Sequence, residues 1–187
     1  MDRATGTGKY ELLLERCSGL EPVVAAVVHP CEHKALAGAI EAARLGLIRP
    51  VLVGPPARIR GVAADNGLDL GDLEIVASAH SHDSAAKAVE LVREGQAGLV
   101  MKGSLHTDEL LGAILSTHGG LRTARRVSHV FIMDVPTYHK VLLVTDAAIN
   151  IAPSLEDKMD ICQNAVDLAV SLGVERPKVA ILAAVET

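Results

Sequence analysis

The chain has 187 residues, 49% of them hydrophobic but only 2% aromatic, with no Trp and a formal net charge of -5. This length suits one full-sized domain, or one domain with part of another, and excludes a disordered tail, while a core limited to Ala, Val, Leu and Ile suits parallel strands buried between helices. Lys and Arg are scattered over an acidic chain, which argues against a nucleic-acid surface built on counterion release and leaves small molecules as the expected partners.

A first helix is expected from Lys9 to Cys17, ending at Gly19 as a left-handed cap. "PVVAAVV" (Pro22 to Val28) then reads as a buried strand. The run "EHKALAGAIEAARLG" reads as a helix, because Leu36, Ala39, Ile40, Ala43 and Leu47 recur at helical spacing. "PVLVG" (Pro50 to Gly54) repeats the strand, and "PPARIRGVAADNG" is a helix opened by proline and closed by Asn66-Gly67. "LEIVA" (Leu73 to Ala77) and the amphipathic helix Asp83 to Gly95 follow, then the strand Gly98 to Met101 and the helix "TDELLGAILSTHGG". Strand-helix units in series predict a parallel sheet with helices packed on its faces.

After Gly119-Gly120 the rhythm changes. "RRVSHVFIMDVP" and "HKVLLVTDAAIN", separated by "TYH", predict an antiparallel hairpin and the start of a second subdomain. "SLEDKMDICQNAVDLAVSLG" is the best helix in the chain. Ser154 is its N-cap, Asp157 stands three residues on, and Leu155, Met159, Cys162, Val166, Ala169 and Val170 form the expected buried stripe. "PKVAILAAV" reads as a final strand. The expected division is a first α/β domain over 1–120 and a partial second one over 121–187.

No apolar run approaches the roughly 20 residues of a membrane span, and the start lacks the pattern of a signal peptide, so a cytoplasmic location is expected. Cys17, Cys31 and Cys162 show no C-x-x-C spacing and are read as packing residues.

Ligands of an open α/β sheet bind outside the carboxyl ends of its strands. The loops to inspect are therefore "HPCEHK", "GPP", "SAHSHDS" and "KGSLHT". The last is the richest: Lys102, Gly103, Ser104, His106 and Thr107 bring a cation, two hydroxyls, an imidazole and the free N–H groups of a helix start into one turn. That is either an anion cradle or a cap in which Thr107 satisfies its own helix and Lys102 stays in solvent. "HPCEH" matches a zinc-protease pattern formally, but His29 ends a strand and Pro30 begins the helix, so a polar pocket wall or a solvated loop is the expected role. "GTGKY" (Gly6 to Tyr10) lacks the spacing of a phosphate-binding loop and reads as a frayed terminus. "HSHDS" (His80 to Ser84) most simply caps its helix through Ser81 or Asp83, the alternative being a ligand role for either histidine at the edge of the sheet. "LRTARR" presents Arg122, Arg125 and Arg126 either as phosphate-matching forks or as a solvated basic surface. In "TDAAINIAP", Thr145, Asp146 and Asn150 follow a strand, and Asp146 either orients a ligand or binds the backbone of its own turn.

Taken together, "HPCEHKALAGAIEAARLGLIRPVLVGP", "MKGSLHTDELL", "RRVSHVFIMDVPTYHKVLLVTDAAINIAPSLEDKMDICQNAVDLA" and "ERPKVAILAAVET" resemble the phosphate acetyl/butyryltransferases, particularly the butyryltransferase-like branch, from about Pro22 to Thr187. The resemblance implies acyl transfer between coenzyme A and inorganic phosphate. It implies a three-layer α/β/α fold with a mostly parallel sheet, similar to the isocitrate and isopropylmalate dehydrogenases, with the second domain begun by a hairpin and cut short. It also implies a homodimer or higher oligomer, coenzyme A as a substrate with no tightly bound cofactor, and no metal. One cleft wall would be Lys102, Gly103, Ser104, His106 and Thr107. The other would come from the segments carrying Arg125, Arg126, Thr145, Asp146 and Asn150. The serine and aspartate usually assigned to catalysis in the family fall in a segment beyond Thr187, so a non-catalytic ligand-binding half is the alternative expectation. The acetyltransferase branch carries an arginine within the next helix turn where this chain reads "DELLG".

Overall fold

The computed structural model describes residues 8–182. Gly6 and Thr7 of the glycine-rich start, and the last residues of the expected final strand, lie outside them. The chain forms two compact units, Cys17–Arg122 and a second made of Met1–Arg16 with Thr123–Thr187.

The first unit carries β1 (Val23–Val28), α2 (His33–Arg44), β2 (Ile48–Gly54), α3 (Pro56–Asp65), β3 (Ile75–Ala77), α4 (Ser81–Arg93), β4 (Leu99–Lys102) and α5 (Thr107–Ile114), with α1 (Lys9–Cys17) preceding them in the second unit. Its four strands are all parallel, in the order β3-β2-β1-β4. Strand β1 is central, and Val28 pairs in register with Val53 on one side and Lys102 on the other. Ala25 to Val28 are fully buried, as expected of a strand covered on both faces.

Alternation along the strands sorts the core into two layers. Ala26, Val28 and Val53 pack with Ala85 and Ala88 of α4 and Leu110 of α5. Val27 and Leu52 point the other way, onto Leu36 and Ala39 of α2 and Ile59 and Ala63 of α3. This is the expected α/β/α layering. The small side chains of α4 let that helix approach the sheet closely, so few aromatics are needed to fill the space. Helix α5 ends at Ile114 instead of running on to Gly119. Leu121 N–H returns to the Ile114 carbonyl at 2.8 Å and closes the end of the helix with a loop.

The second unit holds α1, the antiparallel pair β5 (Val130–Met133) and β6 (Leu142–Thr145), and α6 (Leu155–Ser171). Lys9 Nζ donates to Asp134 Oδ1 at 2.8 Å and to the Val135 carbonyl at 2.7 Å, fixing α1 beside the hairpin. The strands are shorter than the sequence suggests, because Pro136 cannot donate to a ladder and Tyr138 N–H turns back to the Val135 carbonyl. Helix α6 opens with the expected capping box: Asp157 N–H donates to Ser154 Oγ at 3.2 Å, and Ser154 N–H donates to Asp157 Oδ2 at 3.0 Å.

One expectation for this unit holds in part and another fails. Of the expected α6 stripe, Ala169 is buried and Cys162 and Val166 are half-buried, whereas Leu155, Met159 and Val170 are exposed. Ile161, outside that stripe, is buried as well, so the packed face is rotated from the expected one. Lys178–Leu182 form no strand. A strand needs a hydrogen-bonding neighbour, and among the described residues none pairs with this segment.

Leu52 is fully buried between α2 and α3. Leu52→Ala is expected to lower the unfolding free energy by about 2–5 kcal/mol through the cavity it leaves, measured by denaturant titration of the chain.

Candidate functional site

In the order β3-β2-β1-β4 the chain winds outward from β1 through β2 to β3, then returns to the far side of β1 to form β4. The connections leave β1 and β4 toward opposite faces, which opens a crevice at their carboxyl ends. The loops there are His29 to Glu32 and Gly103 to His106.

His29 holds these loops together. Its backbone is left-handed, φ 53, and its side chain is buried. The His29 N–H donates to the Val53 carbonyl at 2.7 Å, tying it to β2. The His29 carbonyl accepts from Cys31 N–H at 2.7 Å, Ser104 N–H at 3.0 Å and Ser104 Oγ at 2.7 Å. Ser104 Oγ also accepts from Cys31 N–H at 3.0 Å. Its one proton is therefore given to His29, and the side chain clamps the β1 and β4 loops together. Gly103 is required for this approach, since a Cβ there would lie 2.2 Å from the Val28 carbonyl oxygen.

The remaining groups of the turn are held less firmly, Lys102 Nζ reaching the Gly103 carbonyl at 3.5 Å. Helix α5 begins at Thr107 with His106 as N-cap, and no side chain caps it. The reading in which Thr107 caps its own helix is thus replaced: Thr107 is the first helical residue, and the leading N–H groups of α5 have no side-chain acceptor. Lys102 is exposed, and its ammonium group has no carboxylate partner among the described residues.

Behind the crevice lies a hydrogen-bond chain that ends on the His80 carbonyl. Ser84 Oγ donates to the His80 carbonyl at 2.9 Å. With its single proton spent, it accepts from Ser78 Oγ at 2.7 Å and from His29 Nδ1 at 3.0 Å. His29 is then the Nδ1–H tautomer, with a lone pair on Nε2, and Arg58 Nη1 lies 3.4 Å from that nitrogen. Burial first, and then the Arg58 charge, hold the His29 imidazolium below the usual histidine range, with His80 adding to the effect and Glu109 opposing it. Both ring nitrogens are occupied, as suits the pocket wall expected of "HPCEH". Burial likewise pushes the Cys31 thiol up, partly offset by Arg58.

At the start of α4 the cap is His80, not Ser81. Its Nδ1 accepts from Asp83 N–H at 3.2 Å, and Asp83 Oδ2 accepts from Ala79 N–H at 2.8 Å. His82 Nδ1 stands 3.5 Å from Glu109 Oε1, and Glu109 Oε2 is buried with no partner among the described residues.

The second unit assembles the other sequence-selected residues. Asp146 accepts from the backbone N–H groups of His129 at 3.0 Å and Asn150 at 2.8 Å, from those of Ala148 and Ile149 at 3.3 Å, and from the Asn150 side chain. It therefore binds the backbone of its own turn. Thr145 Oγ1 donates to the His129 carbonyl at 2.8 Å. Asn150 Oδ1 accepts from Arg126 Nε at 2.7 Å, and Asn150 Nδ2 donates to the Val127 carbonyl at 2.9 Å. Arg125 pairs with Asp167, and Arg126 Nε lies 3.6 Å from Asp157 Oδ1. The two guanidinium groups line an open groove of about 500 Å³ with Thr123, Ser128, Asn164 and Leu168. Both are exposed to solvent, as in the reading of a solvated surface, but carboxylates of α6 offset their charge.

Sequence reasoning passed over Arg58, Ser78, Ser84 and Glu109, and also His129, whose Nδ1 is buried without a partner among the described residues. Arg58 carried a usable signal, being the third residue of a proline-opened helix that follows a parallel strand.

Burial works against ionised Asp146, but the hydrogen bonds from Asn150, His129 and Ala148 outweigh it and hold the carboxyl below its usual range. A folded pKa below the unfolded value of about 3.9 makes ionised Asp146 stabilising above that pH, a contribution lost as pH falls through the lowered folded value. Asp146→Asn is expected to unfold at lower denaturant than the parent at neutral pH, with the gap narrowing on acidification below about pH 4. A gap constant with pH would contradict the charged role.

Residues 76–187 match the family model described as phosphate acetyl/butaryl transferase. The chain is 58% identical over 179 residues to a phosphate acetyltransferase of Rhizobium meliloti, covering 96% of this chain and 57% of that protein. It is 40% identical to a phosphate butyryltransferase of Clostridium acetobutylicum, covering 78% of this chain and 48% of that one. Among solved structures it is similar to a branched-chain phosphotransacylase from Enterococcus faecalis, with TM-score 0.67, 25% identity, and coverage of 88% of this chain and 57% of that one. A phosphotransacetylase from Streptococcus pyogenes shares the fold, with TM-score 0.72 at 18% identity, over 89% of this chain and 59% of that one. The chain thus spans about half the length of the curated relatives it matches. With its parallel α/β unit and a glycine-clamped turn at the sheet crevice, the chain belongs to the phosphate acetyl/butyryl transferase family.

Proposed function

We propose that this chain supplies the substrate-holding part of a phosphate acyltransferase, moving an acetyl, butyryl or similar acyl group between coenzyme A and inorganic phosphate. The observation that carries this reading is the turn from Lys102 to Thr107: an ammonium group without a carboxylate partner among the described residues, beside an uncapped helix start at the carboxyl edge of a parallel sheet. Such a turn is chemically matched to a phosphate group.

In this reaction the coenzyme A thiol gives its proton to a base, and the thiolate attacks the carbonyl carbon of an acyl phosphate. The bond from that carbon to the bridging oxygen breaks, and phosphate leaves with the electron pair. Two demands follow: a proton acceptor near sulfur, and donors for the departing phosphate and the carbonyl oxygen. Lys102, His106, Thr107 and the first N–H groups of α5 answer the second demand, with Gly103 and Ser104 shaping the turn. Arg125, Arg126, Thr145, Asp146 and Asn150 are the proposed substrate-binding residues of the second unit, where Asp146 and Asn150 hold the backbone and Asn150 orients Arg126. Coenzyme A enters as a substrate, and no metal is needed by this scheme.

The same reading takes the chain as the first α/β domain over 1–120 with part of a second over 121–187, acting in the cytoplasm as a homo-oligomer. Among the described residues no helix is long and apolar enough to cross a membrane. The alternative reading is a ligand-holding chain without turnover of its own.

The test is an assay of the 187-residue chain for release of phosphate from acetyl or butyryl phosphate in the presence of coenzyme A, paired with equilibrium binding of coenzyme A and phosphate. Turnover supports the enzyme reading, and binding without turnover supports the ligand-holding one. Lys102→Ala is expected to weaken phosphate binding by about tenfold, the loss of one charge-assisted contact. Absence of both binding and turnover would overturn the proposal.

A further inference from the structure

Cations that bind anions need a fixed position and an unspent charge, two requirements usually in conflict. A carboxylate partner fixes an arginine but cancels its charge, and this is the state of Arg44 with Glu41, Arg125 with Asp167 and Arg126 with Asp157. Arg58 differs from all three. It follows the end of β2 by one helix turn and faces the Nε2 lone pair of His29 at 3.4 Å. No carboxylate pairs with it among the described residues. The imidazole presents Nε2 as an acceptor, because Ser84 Oγ, its own proton given to the His80 carbonyl, takes the Nδ1 proton from behind and Arg58 can only donate. A neutral acceptor locates the guanidinium without offsetting its charge, and leaves further N–H donors of the fork unused.

The position also fits a ligand. His29 ends the central strand, with the β2 end on one side and the Lys102 turn on the other, since Val28 pairs in register with both Val53 and Lys102. Arg58 and Lys102 thus flank His29 at the carboxyl edge of the sheet, where ligands of such folds bind. The nearby acid is Glu109, which faces His82.

We infer that Arg58 is a second anion-binding residue of this crevice, positioned by neutral His29, and that it takes a phosphate group through its guanidinium fork. The inference takes its ligand class from the proposed function. Phosphate chemistry has two sources there, the acyl phosphate with its product inorganic phosphate, and the phosphate esters of coenzyme A.

The experiment is calorimetric titration of the full chain and of Arg58→Gln, Arg58→Lys and Ser84→Ala with inorganic phosphate, pyrophosphate, coenzyme A and 3′-dephospho coenzyme A. Thermal melts show that each variant is folded. Arg58→Gln is expected to weaken at least one of these ligands by about tenfold or more, and Arg58→Lys to restore only part, because a lysine is a point charge without the fork. Loss confined to inorganic phosphate assigns Arg58 to the acyl-phosphate end. Loss confined to coenzyme A, reduced in its dephospho form, assigns it to the coenzyme. Ser84→Ala, which frees the His29 tautomer but keeps Arg58, is expected to weaken the same ligand to a smaller degree. Wild-type affinity of Arg58→Gln for every ligand would overturn the inference and leave the proposed function standing. Pyrophosphate binding that depends on Arg58 in a chain that ignores coenzyme A would sustain the inference and defeat the proposed function. A chain that binds none of the four would defeat both.

Discussion

The carbonyl of His29 is the point on which the crevice depends. Three donors converge on it, from Cys31, Ser104 N–H and Ser104 Oγ, while the His29 N–H reaches across to Val53. One residue thereby joins the ends of β1, β2 and β4, and its left-handed backbone aims both peptide groups at once. Such a conformation is uncommon outside glycine and costs free energy, which these hydrogen bonds and complete burial offset. Gly103 is the complementary constraint, because any side chain there would separate the two loops that His29 joins.

Charge placement distinguishes the two units. In the second unit Arg125 and Arg126 are secured by Asp167 and Asp157, and the groove they line is close to neutral. Along the sheet edge of the first unit, Lys102 and Arg58 keep their charges, one by standing in solvent and one by leaning on a neutral imidazole. Cations offset by carboxylates organise a fold, whereas cations held by neutral acceptors remain available to a ligand.

Much of the fold was legible because its signals are local. Continuous Val and Ala runs gave the buried strands, the spacing of Leu36, Ala39 and Ile40 gave α2, and Ser154 with Asp157 gave the capping box. The turn at Lys102 was legible for a similar reason: a cation, a glycine and hydroxyls after a strand are a compact pattern. What remained hidden was pairing at a distance. Nothing in the spacing of Leu155, Met159 and Val170 says which face of α6 meets β6, and the apolar run at Val179 to Leu182 reads as a strand whether or not a neighbour exists. The same limit explains the site. That Ser104 spends its proton on a carbonyl 75 positions earlier, or that Ser84 selects the tautomer of His29 across 55, follows only from the topology that brings the strand ends together.

A neutral, Nδ1-protonated His29 is what leaves the Arg58 charge unspent, and the imidazole itself can be observed. Long-range nitrogen–proton NMR of the ¹⁵N-histidine-labelled chain distinguishes the two neutral tautomers from the imidazolium. The expected result is the Nδ1–H form of His29 at neutral pH, persisting as the pH falls through the ordinary histidine pKa of about 6.5. An Nε2–H tautomer, or an imidazolium appearing at the ordinary pKa, would contradict the hydrogen-bond chain from Ser78 to Arg58 and the uncancelled charge it sustains.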